Sequence, residues 1–432
     1  MRSISLSLVL IALAGRPELS LAEQNTAPAT APLSLRAAQA EALRHNPSIK
    51  AALARWAAMK TRIAQESAWS DAKVSFDTKA ARFVEIAPNA FMDQAVSVEQ
   101  MIPVSGKNLV RARIAAAEAL ASFEEVRRRQ LAVVTEVRAA YARLNNAQAQ
   151  LELNQANLAS LKQAASAIRS GYESGTRTAN ESLTADTEAS RLQEAQNDIT
   201  RRIADEKSRL NVLMNRDAFL PLATARAKPS QPTDLSLPHL RSLLQAQRPE
   251  IRTALAQIEA ERQRVQLARR EWIPDPAISV QGQRYNDSNQ ALSEIDTGIS
   301  FSIPWGNQKK YSAQTREAKE NLAARQAELD QAQKEALGLL REQLQKLETI
   351  HHHLELYQGD ILSQAQKNQE VSQASYESGQ SSFSDWLTAQ RFLREVQASA
   401  LDQQTEYEIS LAELEGILGA ELPAAPTSGK KK

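Results

Sequence analysis

The sequence repeats itself at long range, and that repetition constrains the fold more than any other feature. His45-Asn46-Pro47-Ser48-Ile49, followed by Ala51-Ala52-Leu53-Ala54, returns as Gln247-Arg248-Pro249-Glu250-Ile251, followed by Thr253-Ala254-Leu255-Ala256. Ile102-Pro103 with Gly106 returns as Ile303-Pro304 with Gly306. Tyr172-Glu173-Ser174-Gly175 returns letter for letter as Tyr376-Glu377-Ser378-Gly379. Pro47 and Pro249 are 202 residues apart, Pro103 and Pro304 are 201 apart, and the two tyrosines are 204 apart. Three landmarks in one order at nearly one spacing imply two copies of a single structural unit. We place them at 23–216 and 240–420, with a linker over 217–239 that holds Pro221, Pro229, Pro232 and Pro238, and a tail over 421–432.

Each half carries the same order of elements. A helix of moderate length is expected over 34–69 and again over 237–271, then a strand pair over about 73–101 and 277–303. A very long helix follows, over about 107–170 and 308–375, then a glycine turn and a return helix over about 179–215 and 383–418. The long helices read as Ala, Leu and Val stripes among Arg, Glu and Gln, with no proline. At 1.5 Å per residue, roughly 64 residues span about 96 Å. A coiled coil or a tube wall needs a helix of that length, and a globular core does not.

Composition agrees and removes whole classes of function. The 432 residues carry a net charge of +1, 5% aromatics, 13 glycines and no cysteine. The balanced charge argues against a nucleic-acid partner. The missing cysteine rules out disulfides, thiolate metal sites, a cysteine nucleophile and the acceptor for an N-terminal lipid anchor. Arg2, the apolar run Ile4 to Ala14 and Ser20-Leu21-Ala22 read as an export signal over 1–22. The run is too short to span a bilayer, which takes about 20 apolar residues. An exported chain without such a segment enters a membrane only as a β-barrel.

The strand segments alternate accordingly. Val74 and Phe76, Val96 and Val98, Ile278 and Val280, and Ile299, Phe301 and Ile303 are each interleaved with polar or small residues. A soluble sheet with one wet face alternates in the same way. The export signal and the strand number favour the membrane reading. Four strands cannot close, because about eight make the smallest membrane barrel, so several chains must pool them.

With these features in place, the chain resembles the TolC family of outer-membrane efflux proteins over nearly its whole mature length, and most nearly the CzcC-like branch that serves heavy-metal and other cation pumps. Ala42-Leu43-Arg44-His45-Asn46-Pro47, Val98-Glu99-Gln100-Met101-Ile102-Pro103-Val104-Ser105-Gly106-Lys107 and Ala112-Arg113-Ile114-Ala115-Ala116-Ala117-Glu118-Ala119 carry the resemblance. So do Ile303-Pro304-Trp305-Gly306-Asn307 and the two Tyr-x-x-Gly turns. It implies a mainly helical fold with a small β part, in which three copies complete a twelve-stranded barrel on a long periplasmic helical tube. It also implies a barrel-to-helix corner at Pro103, Gly106, Pro304 and Gly306, and an adaptor-docking tip at Tyr172, Gly175, Tyr376 and Gly379. A lumen-facing acidic gate falls on Asp385 and, in the first half, Glu181, with Thr388 standing where a second ring aspartate can occur.

The function so implied is the passive outer-membrane duct of a tripartite efflux system for metal cations or small toxic compounds. Its partners are two further copies of itself, a periplasmic adaptor, an inner-membrane transporter and outer-membrane lipid, with no nucleic acid. Type I protein secretion is the alternative within the duct class; a periplasmic adaptor or coiled-coil scaffold fits the duplication less well. No cofactor and no enzymatic activity are expected, since no catalytic grouping, phosphate loop or dinucleotide fingerprint is present. His351-His352-His353 are consecutive on a helix and point about 100° apart, so they do not converge on one ion.

Overall fold

A computed structural model describes residues 32–78, 93–226, 236–285, 291–304 and 306–422. The expected export signal, part of the linker, Trp305 and most of the tail lie outside the described residues.

The first expected helix of each half is in fact two. Helices α1 (Leu35–His45) and α2 (Pro47–Ser67) meet at Asn46, and their twins in the second half, α5 (Leu237–Gln247) and α6 (Pro249–Arg270), meet at Arg248. Proline is the reason. It lacks an N–H and suits the first turn of a helix but not the interior, so Pro47 and Pro249 each start a new one. Asn46 caps α2 through Oδ1, which accepts from Ser48 N–H at 2.9 Å, while its Nδ2 donates to the Leu213 carbonyl at 2.9 Å. In the second half Arg248 makes only the equivalent tie, donating to the Ile417 carbonyl at 2.9 Å, and its side chain does not cap α6.

Strands β1 (Lys73–Thr78) and β2 (Asp93–Met101) follow α2, and β3 (Pro276–Tyr285) and β4 (Glu294–Phe301) follow α6. They form one antiparallel sheet in the order β1-β2-β3-β4, with β1 and β4 as its edges. After each strand pair comes a long helix. The first, α3 (Lys107–Glu173), is unbroken for 67 residues, about 100 Å. The second runs as α7 (Gln308–Leu356), a π-helical turn (Tyr357–Ile361) and α8 (Leu362–Glu377). The return helices are α4 (Ala179–Leu213) and α9 (Phe383–Leu418).

In the wall below the sheet α2 packs on α3, α3 on α6, and α6 on α7, so the helices keep the order of the strands they continue. The two halves bury matching positions. Ala38, Ala42, Ile49, Val137, Leu144, Leu210 and Met214 form one core. Leu240, Leu244, Ile251, Leu340, Leu347, Leu414 and Leu418 form its counterpart. Through the long helices the pairing runs at 203 residues (Val137 with Leu340, Leu144 with Leu347) and below the π turn at 204 (Leu161 with the buried Ala365). The π turn therefore absorbs the one extra residue by which the offset grows from 203 to 204. A single-residue insertion produces this geometry.

Candidate functional site

At the far end of the tube the two hairpin turns have the same backbone. Gly175 and Gly379 adopt φ of 75° and 77°, in the left-handed region that costs glycine least. In the first turn the N–H groups of Thr176 and Arg177 donate to the Gly171 carbonyl at 2.8 and 3.1 Å. In the second, Gln380 and Ser381 donate to Ser375 at 2.8 and 3.2 Å.

The side chains of the turns differ. Tyr172 is exposed, whereas the Tyr376 ring stacks 5.9 Å from Trp386 and lies 5.7 Å from Phe383, with the Arg177 guanidinium 4.4 Å above it. The cause lies in the helix that follows. The positions equivalent to Phe383 and Trp386 are Ala179 and Ser182, so Tyr172 has no aromatic platform. Phe383, Trp386 and Leu387 instead pack on Leu158, Leu161 and Ile168, tying the two hairpins together at the tip.

Glu181 and Asp385 occupy equivalent positions, the third residue of α4 and of α9. Asp385 completes a capping box. Its N–H donates to Ser382 Oγ at 3.2 Å, while its carboxylate accepts from Ser382 N–H at 3.1 Å and from Ser382 O–H at 2.7 Å. Those bonds hold its carboxyl below the usual aspartate range, and the side chain stays open to solvent. The Glu181 N–H donates to Thr178 Oγ1 at 3.4 Å, and its carboxylate lies 3.9 Å from Arg177. The capping box accounts for an acidic residue at Asp385, while at Glu181 the first turn of the helix and Arg177 favour the negative charge.

Two turns further up, an ion cluster missed by sequence reasoning links α4 to α9. The Glu188 side chain is 6% exposed; it accepts from Arg391 at 2.5 Å and Arg394 at 2.6 Å, with Arg191 at 3.8 Å. Burial works against the charged form, but the two arginine bonds outweigh it and lower the carboxyl pKa. Nothing local signals this pairing, because Arg391 and Arg394 lie more than 200 residues away in sequence.

At the other end of the tube, Gly106 and Gly306 turn the chain with φ of 68° and 76°, just after Pro103 and Pro304. The first corner is fastened by Asp275, which accepts from Ser105 N–H and Ser105 O–H, both at 2.8 Å, and from Lys107 Nζ at 3.3 Å. Lys107 also donates to the Ile273 carbonyl at 2.7 Å, and Arg270 donates to the Gly106 carbonyl at 3.2 Å. This corner joins the two halves, and Asp275 and Arg270 were not picked out from the sequence.

The register sorts the sheet residues by face. Val74 lies opposite Val98, Val98 opposite Val280, and Ile278 opposite Ile299. One face thus carries Val74, Phe76, Val96, Val98, Ile278, Val280, Ile295, Ile299 and Phe301, all exposed. Among the described strand residues, Met101, at a strand end, is the one exposed large apolar side chain on the other face. That other face carries Ser75, Asp77, Ser97, Glu99, Ser279, Gln281, Glu294 and Asp296, with Ser75 Oγ and Ser97 Oγ 2.7 Å apart and Tyr285 O–H donating to Glu294 at 2.6 Å.

No helix among the described residues is long and apolar enough to cross a membrane. Also among the described residues, no group of three or more His, Cys, Asp or Glu side chains is placed to hold a metal ion. His351 makes an ordinary helical contact with Glu355 at 3.4 Å and lies 6.1 Å from the Tyr407 ring.

The profile of a family described as outer membrane efflux protein matches residues 37–216 and 240–420. The toluene efflux pump outer membrane protein TtgF of Pseudomonas putida is 26% identical over 214 residues, which cover 49% of this chain and 44% of that protein. The chain thus spans under half the length of the curated relative it matches. Two solved structures share the fold. The outer membrane protein VceC of Vibrio cholerae superposes with a TM-score of 0.74 at 18% identity, covering 90% of this chain and 96% of that one. The open state of the Neisseria gonorrhoeae MtrE outer membrane channel superposes with a TM-score of 0.75 at 16% identity, covering 89% of each.

Proposed function

The chain belongs to the outer membrane efflux protein family, and from that premise we propose that it is the passive exit duct of a tripartite efflux pump. The observation that carries this reading is the sheet. Nine large apolar residues face one way, beside Thr78, Gln94, Gln100, Arg284 and Thr297, while the acidic residues and the serines face the other, on four strands with two open edges. Lipid outside and water inside is the environment that suits such a sheet once it closes. Three copies supply twelve strands, above the eight or so that a membrane barrel requires.

In this arrangement the helical tube hangs into the periplasm for about the length of α3. The adaptor docks on the tip around Tyr172, Gly175, Tyr376 and Gly379, and Asp385 and Glu181 present carboxylates at the closed end. Pro103, Gly106, Pro304 and Gly306 form the corner between barrel and tube. The chain does no chemistry; an inner-membrane transporter supplies the energy and selects the cargo. Metal cations or small toxic compounds are the proposed cargo. Asp77, Glu99, Glu294 and Asp296 on the wet face of the sheet favour cations, and one relative carries toluene in its name.

The test is fractionation of cells expressing the full-length chain, together with accumulation of a divalent metal and of an aromatic solvent in a strain lacking its own outer-membrane duct. A trimer in the outer membrane that lowers accumulation is expected. A soluble monomer, or a trimer without effect on either compound, overturns the proposal.

A further inference from the structure

We infer that the two open sheet edges receive a second copy of this chain in one fixed register, β4 pairing antiparallel with β1 of the partner, so that Ile299 lies opposite Phe76 of the partner subunit. The inference rests on the proposed barrel and adds its residue-level closure.

The internal repeat supplies the argument. Within the first half, Val74 pairs with Val98 and Ser75 with Ser97. Within the second, Ile278 pairs with Ile299 and Ser279 with Gly298. Moving from the first pair to the second takes β1 to β3 by 204 residues and β2 to β4 by 201, for both rungs of the ladder. The two hairpins are therefore equivalent rung by rung. The structure also contains one joint between a first half and a second half, where β2 meets β3 with Val98 opposite Val280 and Glu99 opposite Ser279.

Closing a ring of such chains needs one other kind of joint, from β4 of one chain to β1 of the next. In a ring of equivalent halves it repeats the β2–β3 joint. Shifting Val98 by 201 gives Ile299, and shifting Val280 back by 204 gives Phe76. The same shifts place Ser300 opposite Ser75 of the partner subunit, and Phe301 opposite Val74 of the partner subunit.

The side-chain faces provide an independent check, because a slip of one residue turns every side chain of a strand to the opposite face. In the inferred register, Ile299 and Phe301 meet Phe76 of the partner subunit and Val74 of the partner subunit on the apolar face, and the two serines meet on the polar face. The apolar band then continues across the joint. Unpaired edge groups cannot remain exposed to lipid, so the joint must form wherever the sheet sits in a bilayer.

The chain has no cysteine, which makes crosslinking decisive. Ser75→Cys combined with Ser300→Cys should shift the monomer band to covalent dimer and trimer on a denaturing gel, using the shortest bis-methanethiosulfonate on outer-membrane protein. Ser75→Cys with Gly298→Cys, or with Ser302→Cys, tests a slip of two residues and should leave the band at the monomer. The single variant Ser75→Cys checks insertion. If a control pair crosslinks better than the inferred pair, or if native gels show a trimer and no pair crosslinks, the register is wrong. A protein that is monomeric on native gels overturns the barrel reading itself.

Discussion

Gly175 and Gly419 share a backbone conformation, with φ of 75° and 76°, but have different surroundings. A Cβ at Gly175 meets nothing within 4 Å, whereas one at Gly419 lies 2.6 Å from the Gln247 carbonyl oxygen, in the backbone of the opposing helix end. Gly175→Ala therefore costs only the left-handed penalty, about 1–2 kcal/mol. Gly419→Ala adds a clash with backbone that cannot rotate away, so its thermal midpoint in detergent should fall further than that of Gly175→Ala. Equal losses would show that α5 and α9 can part without cost. The left-handed turn residues were legible in sequence at Gly175 and Gly379 because helix ends favour glycine there. The clash at Gly419 was not, since its partner is fixed only when the second half folds.

At the scale of elements, the Glu188 cluster is a pH-dependent clasp between α4 and α9. Its carboxyl pKa is lower folded than unfolded. The stabilisation is thus complete above the unfolded value, about 4.3, and is lost as pH falls through the lower folded value. Hydrogen bonds to charged groups contribute about 2 kcal/mol each. Amide protection factors at the tip, with the intrinsic pH dependence of exchange divided out, should fall as the pH drops below the unfolded glutamate value, about 4.3. Glu188→Gln should show lower protection at neutral pH with no such step. A step that persists in the variant would assign the titration to another group. The π turn makes a second prediction. Deleting Gly359 should convert it to α-helix and keep the tip in register, because the turn holds one surplus residue. Deleting Asn368, in regular helix, should rotate everything beyond it by about 100° and separate Tyr376 from Trp386. Trimer yield and tip crosslinking measure both; equal damage from the two deletions would remove the insertion reading.

For the whole molecule, the proposed trimer would set three copies of Asp385 around one axis and so place negative charge at the narrow end of the tube. Asp385→Asn should weaken block by divalent cations in single-channel recordings while the helix keeps a capping residue. Unchanged block in a trimer of normal conductance would leave Asp385 as a cap and nothing more. Sequence by itself determined the duplication, the strand-and-long-helix order, the proline and glycine corners and the alternation of the strands. Each of these depends on contacts within one element or on repeated spacing, which a linear reading preserves. Only the tertiary structure decided that Asn46 and Arg248 fasten the helix breaks to Leu213 and Ile417, that Asp275 fastens the corner at Ser105 and Lys107, and that Tyr376 is stacked while Tyr172 is exposed. Those partners come together from positions far apart in the chain, or depend on which aromatic residues the next helix carries to the turn. Their energy comes from burial and directed hydrogen bonds, which exist only once the two halves lie side by side.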